Sequence, residues 1–168
     1  LVIDKPYVSL IGENMRKTML RFDAHAGRMK PDGSGVLGAA GSAVLTIRSH
    51  NFSASNLSIE NGFDFPGNEA KDPKDPTRTD KPQAVAVLAA AGADLTHFQR
   101  VRIAGHQHTL LLQAGRSLLE EGRISGNVDY IAGAGRAVFA GCELLTRTRA
   151  PQAGAEFSTC ITAPSTAI

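Results

Sequence analysis

The chain has 168 residues, 42% hydrophobic and 20% charged, which is enough apolar material for a buried core and too much for a disordered chain. Its 18 Lys and Arg against 16 Asp and Glu leave a net charge of +2, a balance that points to no nucleic acid and no membrane surface as partner. With 17 glycines, 5% aromatics and no Trp, the composition suits small aliphatics packed between frequent turns better than a bundle with a few large anchors.

The chain opens on Leu1-Val2-Ile3-Asp4, a strand-like start without an initiator Met or a basic-then-apolar leader. No apolar run approaches the roughly 18 residues that a spanning helix needs. Ala43-Val44-Leu45-Thr46-Ile47 alternates apolar and polar positions, the period of a half-buried strand. The same alternation returns in blocks centred on Ile59, Ile103, Ile124 and Leu144, which lie 44, 21 and 20 residues apart. A strand block recurring at about 20 residues and closed by Gly or Asn predicts a solenoid of stacked strands. The gap of 44 is either two turns of the solenoid or one turn carrying an insertion.

Between Pro66 and Pro82, four prolines and balanced charges predict a solvated inserted loop on the rim of a site. The next segment, residues 83–95, combines high helix propensity with the alternation of Ala84-Val85-Ala86-Val87, and the repeat register favours strand. Asn51 and Asn56 are expected as ladder positions inside strands. Cys142 and Cys160 are too few for a disulfide framework; two buried thiols are expected, with a single bridge left open.

The chemistry concentrates in Gly105-His106-Gln107-His108-Thr109-Leu110 and, one repeat later, Gly126-Asn127-Val128-Asp129-Tyr130-Ile131. His108 and Asp129 are 21 residues apart, as are Gly105 and Gly126. Equivalent positions on neighbouring coils lie roughly 4.8 Å apart, so an imidazole is expected beside a carboxylate with the Gln107 amide next to them. Such a group can cleave an ester: the carboxylate attacks and the amide holds the oxyanion. A His108 cation favoured by Asp129 acts as general acid, or else the ion pair restrains the attack. His106 and His108 are expected on one strand face, and with Asp129 adjacent a three-ligand metal site is imaginable. Short His-x-His patterns are common by chance, however, and no outer partner to orient the ligands is identifiable, so no metal is expected.

Several runs resemble bacterial pectinesterases (pectin methylesterases). They are Lys5-Pro6-Tyr7-Val8-Ser9-Leu10-Ile11-Gly12-Glu13, Phe52 to Asn61, Phe63-Asp64-Phe65-Pro66, Gln83-Ala84-Val85-Ala86, Gly126 to Gly133 and Thr162-Ala163-Pro164-Ser165-Thr166. The resemblance is collinear over essentially the whole chain. It implies an all-β, right-handed parallel β-helix, incomplete here because relatives are longer, and a single domain over residues 1–168. It also implies secretion, a pectin (polygalacturonate) methyl ester as substrate and a monomeric, cofactor-free enzyme. On this likeness Asp129 is the nucleophile, Gln83 and Gln107 hold the oxyanion, and Val128, Ala132 and His106 line the substrate face.

The departures are specific. The family's Gly-Tyr-Gln-Asp-Thr-Leu-Tyr reads here as Gly105 to Leu111, so His108 replaces an acidic residue while His106 and Leu111 replace aromatics. Ala132 replaces a further aromatic, and the family's downstream Arg is not reached. The alternatives are a pectinesterase-like protein that binds acidic polysaccharide without turnover, or an esterase or thioesterase with another acyl substrate.

Overall fold

The computed structural model describes residues 1–149 and 159–165. Strands in it are short because each coil must turn two or three times, and every ladder between the described strands is parallel. The fold is a parallel β-helix with three faces. The first face stacks β1 (Val2–Ile3), β4 (Leu45–Ile47), β6 (Val87–Ala89), β8 (Leu110–Leu112), β11 (Ile131–Gly133) and β14 (Thr162–Pro164). The second stacks β2 (Ser9–Ile11), the first halves of β5 (Ser53–Asn61) and β7 (Thr96–Ala104), then β9 (Arg116–Glu120) and β12 (Arg136–Ala140). The third stacks β3 (Met19–Phe22), the second halves of β5 and β7, then β10 (Arg123–Gly126) and β13 (Glu143–Thr146).

The register follows the sequence repeat. Ile59 pairs with Ile103, Ile103 with Ile124, and Ile124 with Leu144. The gap of 44 residues is therefore one coil carrying an insertion. A second insertion, residues 23–44 between β3 and β4, includes the one-turn helix α1 (Gly38–Gly41). Asn56, Arg100 and Glu121 turn the chain from the second face to the third with φ of 57°, 51° and 52°. That left-handed geometry costs roughly 1–2 kcal/mol for a residue with a Cβ. Stacking each corner on the next makes the conformation obligatory.

Side chains from all three faces fill the core: Leu45, Ile47 and Leu110 from the first, Phe98 and Leu119 from the second, Ile59, Ile103 and Ile124 from the third. A second, smaller apolar cluster, Val85, Leu88, Leu111 and Ala132, lies outside the first face and packs against Ala39, Ala43 and Ala163. Segment 83–95 is strand only at Val87–Ala89, and no part of it is helical. Ala84 to Ala89 are all buried, with Val87 and Ala89 in the core and Val85 and Leu88 under α1. Burial on both sides overrides the helix propensity.

The proline-rich insertion is not wholly irregular. Helix α2 (Phe65–Ala70) starts it, with Pro66 in the first turn and the Asp64 carboxylate accepting from the Gly67 amide at 2.9 Å. Asn51 and Asn56 occupy left-handed corners (φ 55° and 57°), not Asn ladders, and the Asn56 side chain accepts from Arg100 Nε at 2.8 Å. Both cysteines are free thiols, Cys142 half-buried and Cys160 exposed; exposure of Cys160 departs from the expected burial.

Ile103 is fully buried (0% exposed) between Ile59 and Ile124. Its truncation to Ala is expected to cost about 2–5 kcal/mol, read as a lower denaturation midpoint in urea at unchanged slope.

Candidate active site

The corner from the third face to the first carries all the long loops. The crossings from β3 to β4, β5 to β6 and β13 to β14 are long, whereas 105–109 and 127–130 are tight turns on the two coils between the last two of them. These two turns hold His108 and Asp129 at equivalent positions, both left-handed, with φ of 57° and 46°. Gln107 forms a parallel bridge with Val128, and the His108 amide donates to the Val128 carbonyl at 3.2 Å. The spacing of 21 residues thus brings the imidazole and the carboxylate to adjacent coils. They belong to a turn, so the expected placement of His106 and His108 on one strand face does not hold.

Gly126 sits where the two turns touch. A Cβ there would lie 2.2 Å from Tyr130 Cβ and 2.5 Å from the His106 carbonyl oxygen, so only glycine permits this approach. Tyr130, fully buried, anchors the Asp129 turn in the core. Gln83 and Gln107 are both half-buried, and among the described residues their side-chain amides make no hydrogen bond.

His108 departs from the expectation of a favoured cation. Burial lowers its pKa below 6.5, and the opposing pull of Asp129 is the smaller effect. Nδ1 is buried without a partner, and no hydrogen bond or ion pair joins the ring to Asp129. At neutral pH the ring is predominantly neutral, which leaves the carboxylate unrestrained by an ion pair.

His106 is half-buried and lines a cavity of about 330 Å³ together with Glu60, Phe63, Asp64 and Arg147. Its ring stacks on Phe65 with centroids 5.4 Å apart and planes 6° from parallel. Arg147 Nη1 lies 3.1 Å from Nε2 and the Asn127 amide 3.2 Å from Nδ1. Burial first and Arg147 second lower its pKa to about 4. With both nitrogens engaged it is no metal ligand, and among the described residues no group of three His, Cys, Asp or Glu could hold a metal ion. Val128 is half-buried, while Ala132 and Leu111, each 9% exposed, pack together on the outside of the first face.

Above these turns, Arg149 donates to the Glu69 carboxylate at 2.6 Å, with both side chains 15% exposed. The pair ties the segment after β13 to α2. Sequence reasoning gave no role to Phe65, Asn127, Arg147, Arg149 or Glu69. The signal for two of them was present: His106, Asn127 and Arg147 are spaced 21 and 20 residues apart, the spacing of the strand anchors. A cavity of about 530 Å³ lined by Asp23, His25, Arg28, Lys71 and Thr79 lies between the first two long loops, away from Asp129. Its charges are met internally, Arg28 by Asp23 at 3.2 Å and Lys71 by the Thr77 carbonyl at 3.0 Å, so the tight turns are the better candidate.

His25, His106 and His108 all have lowered pKa values, each chiefly through burial. Between the ordinary value of 6.5 and their folded values the unfolded chain binds more protons than the folded one. Stability is expected to fall as pH drops through that window, seen as a lower urea midpoint at pH 4.5 than at pH 7. NMR titration should place the His108 midpoint below 6.5.

The pectinesterase family model matches residues 2–167. Pectinesterase A of Dickeya dadantii (strain 3937) is 40% identical over 168 residues, which are all of this chain and 46% of that protein. The solved structure of a pectin methylesterase in complex with a hexasaccharide superposes with a TM-score of 0.94 at 39% identity, over 98% of this chain and 48% of that one. The pectin methylesterase from Yersinia enterocolitica gives 0.91 at 38% identity, over 98% and 51%. The chain spans about half the length of the curated relatives it matches.

Proposed function

The chain belongs to the pectinesterase family, and on that premise we propose that this protein hydrolyses methyl esters of a polygalacturonate-type polymer outside the cell. The observation that carries the reading is the pairing of the two tight turns. They set His108 and Asp129 on adjacent coils, with Gln107 bridged to Val128 beside them. Among the described residues no helix is long and apolar enough to cross a membrane. A relative is known in complex with a hexasaccharide, which supports a polymeric sugar substrate.

The Asp129 carboxylate attacks the ester carbonyl carbon and forms a tetrahedral oxyanion. The Gln107 and Gln83 amides donate to that oxyanion in a partly dehydrated site, where such bonds are strongest. The C–O bond to the methyl group's oxygen breaks, and methanol leaves with a proton from protonated His108. An acyl-Asp129 anhydride remains. Neutral His108 then takes a proton from water, whose oxygen attacks the anhydride at the substrate acyl carbon. The acid product leaves, and Asp129 is again a carboxylate beside protonated His108.

The cycle begins with Asp129 ionised and His108 protonated. Burial lowers the His108 pKa, so the competent form becomes scarce as pH rises through a value below 6.5. The same burial that weakens His108 as a proton store at pH 7 favours it as the base for water. A carboxylic acid at position 108 would meet the second demand less well and the first better, once its own pKa is raised by Asp129.

Methanol release from highly methylated pectin tests the reading. The alkaline limb of kcat/KM is expected below pH 6.5. Asp129→Asn should lower turnover by roughly 10⁴-fold or more, and persistent turnover in that variant would remove Asp129 as nucleophile. His108→Asp should raise methanol release at pH 7 by about ten-fold or more. Pectin binding without methanol release in the unsubstituted full-length protein would overturn hydrolysis in favour of binding alone.

A further inference from the structure

His106, Asn127 and Arg147 form a column across three successive coils, and a fourth segment, at Phe65, presses on it. The main chain already links the column: the Asn127 amide donates to the His106 carbonyl at 3.0 Å and the Arg147 amide to the Gly126 carbonyl at 2.6 Å. The side chains add a second link. One guanidinium nitrogen, Arg147 Nη1, reaches both the Gly105 carbonyl at 2.9 Å and His106 Nε2 at 3.1 Å.

The donor inventory fixes the state of the ring. A guanidinium has donors only, so Nε2 must be the unprotonated, accepting nitrogen. A neutral imidazole then carries its proton on Nδ1, 3.2 Å from the Asn127 amide. The structure places Asn127 Nδ2 at that nitrogen; turned over, the amide sets Oδ1 there to accept the Nδ1 proton. In the opposite orientation Oδ1 is buried without a partner. The turned orientation gives both the Nδ1 proton and Oδ1 a partner.

We propose that His106 is a positioning residue, a neutral Nδ1–H imidazole that clamps the Gln107–His108 turn to the Asp129 turn and to Arg147. The inference rests on the assignment of those turns to ester cleavage. Phe65 covers one face of the ring and both nitrogens are spent within the chain, while the rest of the ring lines the cavity beside Phe63 and Asp64. Immediately after His106 in the chain comes Gln107, whose amide must lie within hydrogen-bond distance of the oxyanion. A displacement of about 1 Å at such a group costs on the order of 100-fold in rate.

The charged groups around the ring are Arg147 from the β13–β14 loop, Asp64 and Glu69 from the α2 segment, and Glu60 from β5. The three carboxylates pull toward protonation and are outweighed by burial and Arg147. Protonation would set a second donor on Nε2 against the Arg147 donor and break the clamp. Holding the ring neutral down to about pH 4 keeps the clamp closed through the range in which the ester chemistry runs.

Two measurements on the full-length protein test this. Long-range ¹⁵N–¹H spectra of the imidazoles should show His106 as the Nδ1–H tautomer from pH 7.5 to about 5. An Nε2–H tautomer, or protonation with a midpoint near 6.5, overturns the proposal without any variant being made. His106→Phe keeps a ring to stack on Phe65 and deletes both nitrogens. It is expected to lower kcat on methylated pectin by about ten-fold or more with KM within about two-fold, while cooperative unfolding is retained. Unchanged kcat overturns the positioning role. Should the unsubstituted protein release no methanol, the ester assignment fails by itself. The tautomer, and a shift of the Gln107 and His108 amide resonances in His106→Phe, then uphold the clamp or, by their absence, overturn it.

Discussion

Each coil of this chain is bound to the next by a parallel backbone ladder in a single register, and everything functional depends on that register. A slip of one residue would exchange the inner and outer sets of side chains on a face. Ile59, Ile103 and Ile124 would leave the core together, and the cost of exposing three such side chains, about 1.5–3 kcal/mol each, makes the slip unaffordable. The same register that stacks the isoleucines stacks His106, Asn127 and Arg147 in one column and His108 with Asp129 beside it. Apolar burial thus supplies the precision that the polar site needs.

The corners turn this regular stack into a site. Where β5 and β7 bend, left-handed residues with side chains pass smoothly from one face to the next, and nothing protrudes. At the corner holding His108 and Asp129 the crossings differ in length. In chain order, long crossings lie on the coils either side of the two tight turns. Gly126 lets the two turns approach within a distance that any side chain would prevent. The Glu69–Arg149 pair, largely withdrawn from water, joins α2 to the segment after β13.

Burial sets the electrostatics of the corner more than pairing does. His106 and His108 are both pushed toward the neutral form by loss of water, and for His108 the neighbouring carboxylate recovers only part of that loss. The consequences diverge because the partners differ. His106 has its two nitrogens engaged by Arg147 and Asn127, and serves as structure. His108 has a buried Nδ1 with no hydrogen-bond partner. Two histidines two residues apart thus differ in what surrounds each ring.

Much of this was legible in the residues. The recurrence of alternating blocks at about 20 residues implied stacked strands, and the match of 21 between His108 and Asp129 implied adjacent coils, because a solenoid converts sequence period directly into spatial neighbourhood. The motif Gly126-Asn127-Val128-Asp129 carried the family likeness that the comparisons bear out. The protonation preference of His108 was not legible, since a pairwise view sees the carboxylate and not the loss of water. Nor was the change of His106 from a sugar-facing aromatic to a ring held on Phe65, Asn127 and Arg147. The mostly coil structure of 83–95, expected as strand, followed from apolar clusters on both of its sides. The sequence by itself determined the repeat, the register and the residues of the two turns, because these follow from local period. Only the tertiary structure decided desolvation, tautomer and the bridging of loops, because each depends on groups brought together from distant coils.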